Sequence, residues 1–260
     1  MMTQNKTQNV IITGASSGIG ESLAKHYAST GAQLGLIARR TDLLQRLQTE
    51  IVAMGAPTPF VYALDVRDRS ALKLAANDFT KHVGAPDIVI ANAGVSRGTL
   101  TSIEDDLTAF QDIFDINVMG TVNTFHAFLG AMHNEKSGTL VGIASVAGFR
   151  GIPGSGAYSA SKAAAIKYCE SLRVELRGSG ISVVTICPGY IRTPMTAVNT
   201  FKMPFLIDAD DAAARIARAI AARSSFTVIP WNMGIAARVL RMVPNWLYDR
   251  VFSHMPRKPR

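Results

Sequence analysis

In the stretch "GAYSASKAA" (156–164), Tyr158 and Lys162 stand four residues apart. On a helix that spacing stacks two side chains on one face, one turn apart. A phenol ordinarily ionises near ~10, and a nearby ammonium favours its charged form. The pair raises the question of why a phenol should be stacked against an ammonium and padded with small Ala and Ser residues. Taken alone, it fits an aromatic and a cation on an exposed helix face. The rest of the chain must decide.

Other residues of the same kind sit where strands should end. "TGASSGIGE" (13–21) places Gly14, Gly18 and Gly20 at a turn from an apolar strand into a helix. Missing side chains permit a tight turn and close approach of a pyrophosphate, and the helix N-terminus offers it free N–H groups and the positive end of a dipole. With Ser16, Ser17 and Ile19 these glycines form a candidate phosphate cradle, a variant of the dinucleotide fingerprint. The next apolar run ends "LIARR", so Ala38, Arg39 and Arg40 stand where dinucleotide folds place a ribose-binding acid. With no carboxylate to repel a 2′-phosphate and a guanidinium to pair with one, NADP(H) is favoured over NAD(H).

"ALDV" ends a third strand with Asp65 and Val66. This carboxylate suits an adenine amino group, and it suits a turn or helix cap nearly as well. "ANAG" offers Asn92, Ala93 and Gly94, small enough for a flat ring to lie against the backbone. "DINVMGT" puts Asn117 inside a helical segment, where Asn is a poor fit unless a polar task such as holding a kink and a water keeps it there. "IASVAG" sets Ser145 at a strand end, where its hydroxyl can meet a substrate oxygen.

The elements that would position these residues alternate along the chain. Short β-branched runs at 9–13, 33–38, 60–64, 87–92, 138–145, 181–187 and 226–230 are separated by helical periodicities at 17–30, 42–54, 69–82, 104–133, 157–178 and 208–223. Strands alternating with helices predict βαβ units. Near-continuous apolar strands predict a sheet covered on both faces. The expected fold is α/β: a doubly wound, mostly parallel seven-stranded sheet with helices on both faces, in a single domain. A globular balance of 48% apolar and 18% charged residues agrees. Two cysteines, Cys169 and Cys187, lack metal-ligand spacing and fit a reducing compartment. No metal site is expected, and neither a secretory signal nor a membrane span is read in the chain.

In order, "TGASSGIG", "NAG", Asn117, Ser145, "YSASK" and "PGYIRT" (188–193) resemble the short-chain dehydrogenase/reductase family over roughly residues 9–230, and the 13-residue step from Ser145 to Tyr158 fits as well. The resemblance implies a Rossmann fold and an NADP(H)-dependent oxidoreductase that interconverts a carbonyl and an alcohol. It implies Tyr158 as proton donor or base, and Lys162 as the cation that lowers the tyrosine pKa and holds the nicotinamide ribose. It implies Ser145 as the group orienting the substrate oxygen, and Asn117 as holder of a water linking Lys162 to solvent. Pro188, Gly189 and Ile191 would edge the nicotinamide, and Thr193 would meet its carboxamide or phosphate. A dinucleotide-sensing binding protein with little turnover is the alternative, disfavoured by a complete Ser145, Tyr158 and Lys162 set.

Two segments lie outside those motifs. Residues 194–207 are rich in Met and Phe and are expected to form a substrate lid over a greasy cleft, hence a lipophilic substrate. Residues 231–260 form an extension holding both tryptophans. Residues 215–260 contain nine Lys/Arg and one acid, whereas 1–214 are balanced at 18 of each, so the net +8 resides in the tail. Met233, Ala236, Leu240 and Val243 fall at helical spacing, and Pro244 should stop that helix. The extension could pack on its own domain or on a sister subunit in a homodimer or homotetramer, lie on an anionic membrane surface, or bind an acidic partner. Nucleic acid is disfavoured, since no binding motif accompanies the charge. A cytoplasmic location is expected, with membrane association through the tail left open.

Overall fold

The computed structural model describes residues 7–253 and 258–259. Arg257 and Arg260 of the basic tail therefore lie outside the described residues. The chain begins β1 (Asn9–Thr13), α1 (Gly18–Ser29), β2 (Gln33–Ala38), α2 (Thr41–Ala53), β3 (Phe60–Ala63), α3 (Arg69–Val83) and β4 (Ile88–Ala91). Next come α4 (Asp105–Phe114), a π-helical turn over Asp115–Met119, α5 (Gly120–Glu135), β5 (Gly138–Ile143), α6 (Gly156–Glu175) and β6 (Ile181–Pro188). The last part contains β7 (Ile191–Arg192), α7 (Pro194–Ala197), β8 (Ile207–Asp208), α8 (Ala209–Ala221), β9 (Phe226–Ile229), α9 (Trp231–Met242) and α10 (Asn245–Phe252).

Seven strands form one parallel sheet in the order β3-β2-β1-β4-β5-β6-β9. Along β1, side chains alternate between two cores, as the pleat requires. Val10 and Ile12 join Leu23 of α1, Leu44 and Ile51 of α2 and Ile216 of α8. Ile11 joins Phe79 of α3, Phe125 and Phe128 of α5 and Leu172 of α6 on the opposite face. This two-sided burial is why the strands read as unbroken apolar runs. The expected single-domain, doubly wound sheet is the one found.

The strand order reverses at β1, whose neighbours are β2 and β4. Chain connections leave that point toward opposite faces, so a crevice opens beyond the carboxyl ends of β1 and β4. The glycine turn after β1, the Asn92 turn after β4, Ser145 after β5 and Pro188 ending β6 all lie along this rim.

The C-terminal extension packs on its own domain. Pro244 divides α9 from α10, as expected, but the inward face of α9 is Met233, Gly234 and Ala237, while Ala236 is exposed. Gly234 carries no hydropathy signal, yet its bare backbone allows the helix to approach Val228. Arg150 fastens the junction: Nη1 donates to the carbonyls of Leu240 and Val243, Nη2 donates to Asn245 Oδ1, and the guanidinium stacks 3.9 Å from the Tyr248 ring centre.

Candidate active site

Tyr158 lies in the first turn of α6 and Lys162 one turn later, so both project from the end of that helix nearest the crevice. Lys162 is almost fully buried, its Nζ 5.8 Å from the Tyr158 ring centre and donating to Ile143 O at 2.9 Å. Burial pushes its pKa down to about 8. Burial also pushes the Tyr158 phenol up, opposed by the Ser145 hydroxyl beside it. This differs from the lowered phenol expected of the pair: with Lys162 bonded to a carbonyl and at this distance, desolvation outweighs its attraction. The neighbouring thiols supply no counter-charge, since burial raises Cys187 to about 12 and Cys169 to about 11.

Ser145 lies two residues beyond the end of the buried β5, and its Oγ accepts from Ala147 N at 3.1 Å. That bond closes the short turn over Val146–Gly148 and holds the hydroxyl next to Tyr158. Asn117 sits at the centre of the π-helical turn, 1% exposed. A π turn inserts one extra residue into a helix and frequently marks a functional site. The interior Asn thus falls in a π turn rather than in regular α-helix. The Oδ1 accepts from Val95 N at 2.8 Å, while Nδ2 donates to Val95 O and to Ser161 Oγ, both at 3.0 Å. Ser161 in turn donates to Tyr158 O at 2.8 Å. Asn117 thus joins the β4 loop to the helix that bears Tyr158.

At the other end of the crevice, Gly14 has φ +67°, and a Cβ there would fall 2.8 Å from Ala93 Cα. At Gly20 a Cβ would fall 2.3 Å from Gly14 O and 2.6 Å from Asn92 Nδ2. No side chain fits either place, which leaves a backbone cradle opening on the N-terminus of α1. Asn92 Nδ2 donates to Thr13 O at 3.0 Å, and Thr13 Oγ1 accepts from the amides of Asn92 and Ala93. Gly18, Ile19, Val66 and Gly94 line the same cleft, as do Pro188, Gly189, Ile191 and Thr193 beyond β6.

Arg40 reaches back across this turn, its Nη2 donating to Ser16 Oγ at 3.0 Å and Ser17 Oγ at 2.7 Å. Arg39 stays largely in solvent, its Nη1 3.9 Å from Asp65 Oδ2. Both oxygens of Asp65 receive the Arg67 guanidinium, which holds the carboxyl below the usual carboxylate range. The helix cap nearby is Asp68, which accepts from Ala71 N.

Comparison with known proteins shows the family. The family model described as short chain dehydrogenase matches residues 8–203. The chain belongs to the short-chain dehydrogenase/reductase family. It is an oxidoreductase with a Rossmann-like fold. An uncharacterized oxidoreductase of Myxococcus xanthus is 38% identical over 95% of this short-chain dehydrogenase/reductase and 97% of that one. An alcohol dehydrogenase from Thermococcus sibiricus, solved with 5-hydroxy-NADP, is 25% identical with a TM-score of 0.76, covering 86% of this chain and 96% of that one. A Burkholderia phymatum short-chain dehydrogenase/reductase solved with NAD shares the fold, with 24% identity, a TM-score of 0.82 and 98% of each chain covered.

The residues present fit a nicotinamide dinucleotide: the cradle that a Cβ would fill suits its pyrophosphate, and the cleft continues from there to Tyr158 and Lys162. Sequence reasoning brought these residues together but missed their supports. Thr13 and Ser161 stood inside quoted motifs without assigned tasks, and only the fold reveals what they hold. Removing the Asn117 carboxamide should leave Val95 N and O without their partner, and Ser161 with Tyr158 O alone. Unsatisfied buried groups cost about 1–3 kcal/mol. Asn117→Ala should lower unfolding stability by at least that amount in urea titration, and a change inside measurement error would show that Asn117 holds nothing together.

Proposed function

We propose that this short-chain dehydrogenase/reductase interconverts a ketone or aldehyde and the corresponding alcohol, using NADP(H), on a lipophilic substrate. The observation that carries this is one continuous cleft with the glycine cradle at one end and Ser145, Tyr158 and Lys162 at the other. A nicotinamide dinucleotide in the cleft supplies or accepts the hydride. The chain does the rest. Ser145 Oγ holds the substrate oxygen, and the Tyr158 hydroxyl gives it a proton during reduction or removes one during oxidation. The charge left on the phenol is stabilised by the Lys162 ammonium, and the Asn117 and Ser161 network fixes the helix on which both stand.

Support for NADP(H) comes from the second strand. Two guanidiniums follow β2, no acid takes the ribose position, and Arg40 is already held over the phosphate turn by two hydroxyls. Support for a lipophilic substrate comes from residues 194–207, the proposed lid. Thr193 caps α7 through Thr196, which places Met195 on the cleft wall, and Phe201 meets Tyr190 edge-on at 6.2 Å.

The extension suggests where the substrate is met. On α9, Trp231, Ile235, Val239 and Met242 share the outward stripe opposite the buried Met233 and Ala237, and on α10 Trp246 and Val251 are exposed as well. Both tryptophans are 70% exposed. Arg238, Arg241 and Arg250 lie on the same two helices. Exposed tryptophan beside cations matches the apolar and charged layers of an anionic membrane surface. We commit to that occupant, with the enzyme cytoplasmic and docked peripherally; among the described residues no helix is long and apolar enough to cross a membrane.

Activity should appear as NADPH consumption across a panel of ketones and aldehydes of rising chain length. Tyr158→Phe should retain NADPH binding and lose about 10²–10⁴-fold in turnover; wild-type rates in that variant would remove the proton-donor role.

NADPH should bind more tightly than NADH. A charge-assisted contact contributes about 1.5–3 kcal/mol, so the double variant Arg39→Ala/Arg40→Ala should erase roughly a tenfold to hundredfold preference. Equal affinities in the unmutated protein would refute this.

The protein should co-sediment with anionic vesicles at low salt, less with neutral ones, and release as salt rises. Trp231→Ala/Trp246→Ala should abolish the binding. If the same variant instead changes the oligomeric size and vesicles are ignored, the face is a contact between subunits.

A further inference from the structure

Near its C-terminus the chain returns to the catalytic tyrosine. Lys258 Nζ donates to Ser96 Oγ at 2.8 Å and stands 5.9 Å from the Tyr158 ring centre. Lys162 stands 5.8 Å from the same centre, so two ammoniums share one phenol. The segment is seated by its backbone: Gly98 N donates to Pro259 O at 2.9 Å. A Cβ on Gly98 would fall 2.3 Å from Lys258 O, so only a bare backbone at 98 lets the two strands of chain lie together. The receiving loop is itself fixed. Val95 is tied to Asn117, Thr99 N donates to Gly154 O at 2.9 Å, and Ala157 N donates to Thr99 Oγ1.

Lys258 is half-buried, and among the described residues no carboxylate lies within ion-pair distance of it. An ammonium has three N–H donors, and among the described residues its one hydrogen-bond partner is an uncharged hydroxyl. Withdrawing a cation from water without an opposite charge is unfavourable, and burial accordingly lowers its pKa below the usual lysine range. A negatively charged ligand would relieve this. The position beside Tyr158 means that such a ligand would also reach the proton donor.

We propose that Lys258 is the anion-recognition residue of the substrate cleft, and that the substrate is an oxo acid whose carboxylate pairs with Lys258 while its carbonyl meets Tyr158. This rests on the reading of Tyr158 as the group that handles the carbonyl. It narrows the substrate class to an amphipathic one, with a carboxylate at the Ser96–Lys258 pair and an apolar remainder along Met195. Lys258 acts here as a specificity residue and transfers no proton.

The test is calorimetric binding of oxooctanoates, with the oxo group at each successive position from C3 to C6, to the full chain saturated with NADP⁺. Each acid is compared with its methyl ester on the wild type, Lys258→Met and Lys258→Arg. At least one acid should bind tenfold or more tightly than its ester. Lys258→Met should bring that acid to the level of the ester without changing the ester, and Lys258→Arg should keep most of the preference. Failure of every acid to outbind its ester in the wild type overturns the proposal, as does a preference that survives Lys258→Met. NADPH consumption is read separately on the same compounds. Reduction of neutral ketones without acid preference removes only the Lys258 assignment. Oxo acids that bind with the preference but are never reduced remove only the reductase reading.

Discussion

One carboxamide ties together the loop, the helical turn and the helix that wall the cleft. Asn117 presents an acceptor and two donors from a turn that contains one residue more than an α-helix would, and it uses them on the β4 loop and on Ser161. Three segments far apart in sequence are joined at that point. Without the π turn the amide would point along another direction of the helix, and the loop carrying Val95 would lose its register against α6. The sheet provides a rigid floor, and this group ties the β4 loop at its edge to the helix that carries Tyr158.

The cleft also concentrates polar groups that burial disfavours. Lys162 is enclosed with a carbonyl as partner, and the thiols behind it are neutral. At the far end, the exposed Arg40 is likewise without an opposite charge among the described residues, held only by serine hydroxyls. Such groups are stabilised when an anionic ligand arrives, and this is a physical reason to expect the empty and loaded proteins to differ in stability.

Much of this was legible before any coordinates. Asn9–Thr13 and Gln33–Ala38 emerge at the bounds read from their apolar runs, because both sheet faces are covered and nothing polar interrupts them. The chemistry-bearing residues were legible for a related reason: tight turns and strand ends restrict residue type strongly. Other features were hidden. Residues 104–133 read as one helical segment, since an inserted residue barely disturbs a hydrophobic period; the structure resolves it into α4, the π turn and α5. The two-residue β7 and β8 and the four-residue α7 are too short to show any period. The inward face of α9 was displaced because Gly234, the residue in closest approach, has no side chain to register. Ser161 and Lys258 have meaning only through partners distant in sequence.

The packing of α9 carries a mechanical consequence. Met233 presses on the Pro-Gly turn so closely that a Cβ on Gly189 would fall 2.8 Å from its Cγ. Arg150 clamps the other end of the same helix to the loop that follows Ser145. The extension is therefore a lever resting on the rim of the cleft at two points. Between its outer face and the Pro-Gly backbone that lines the cleft there is only the helix itself.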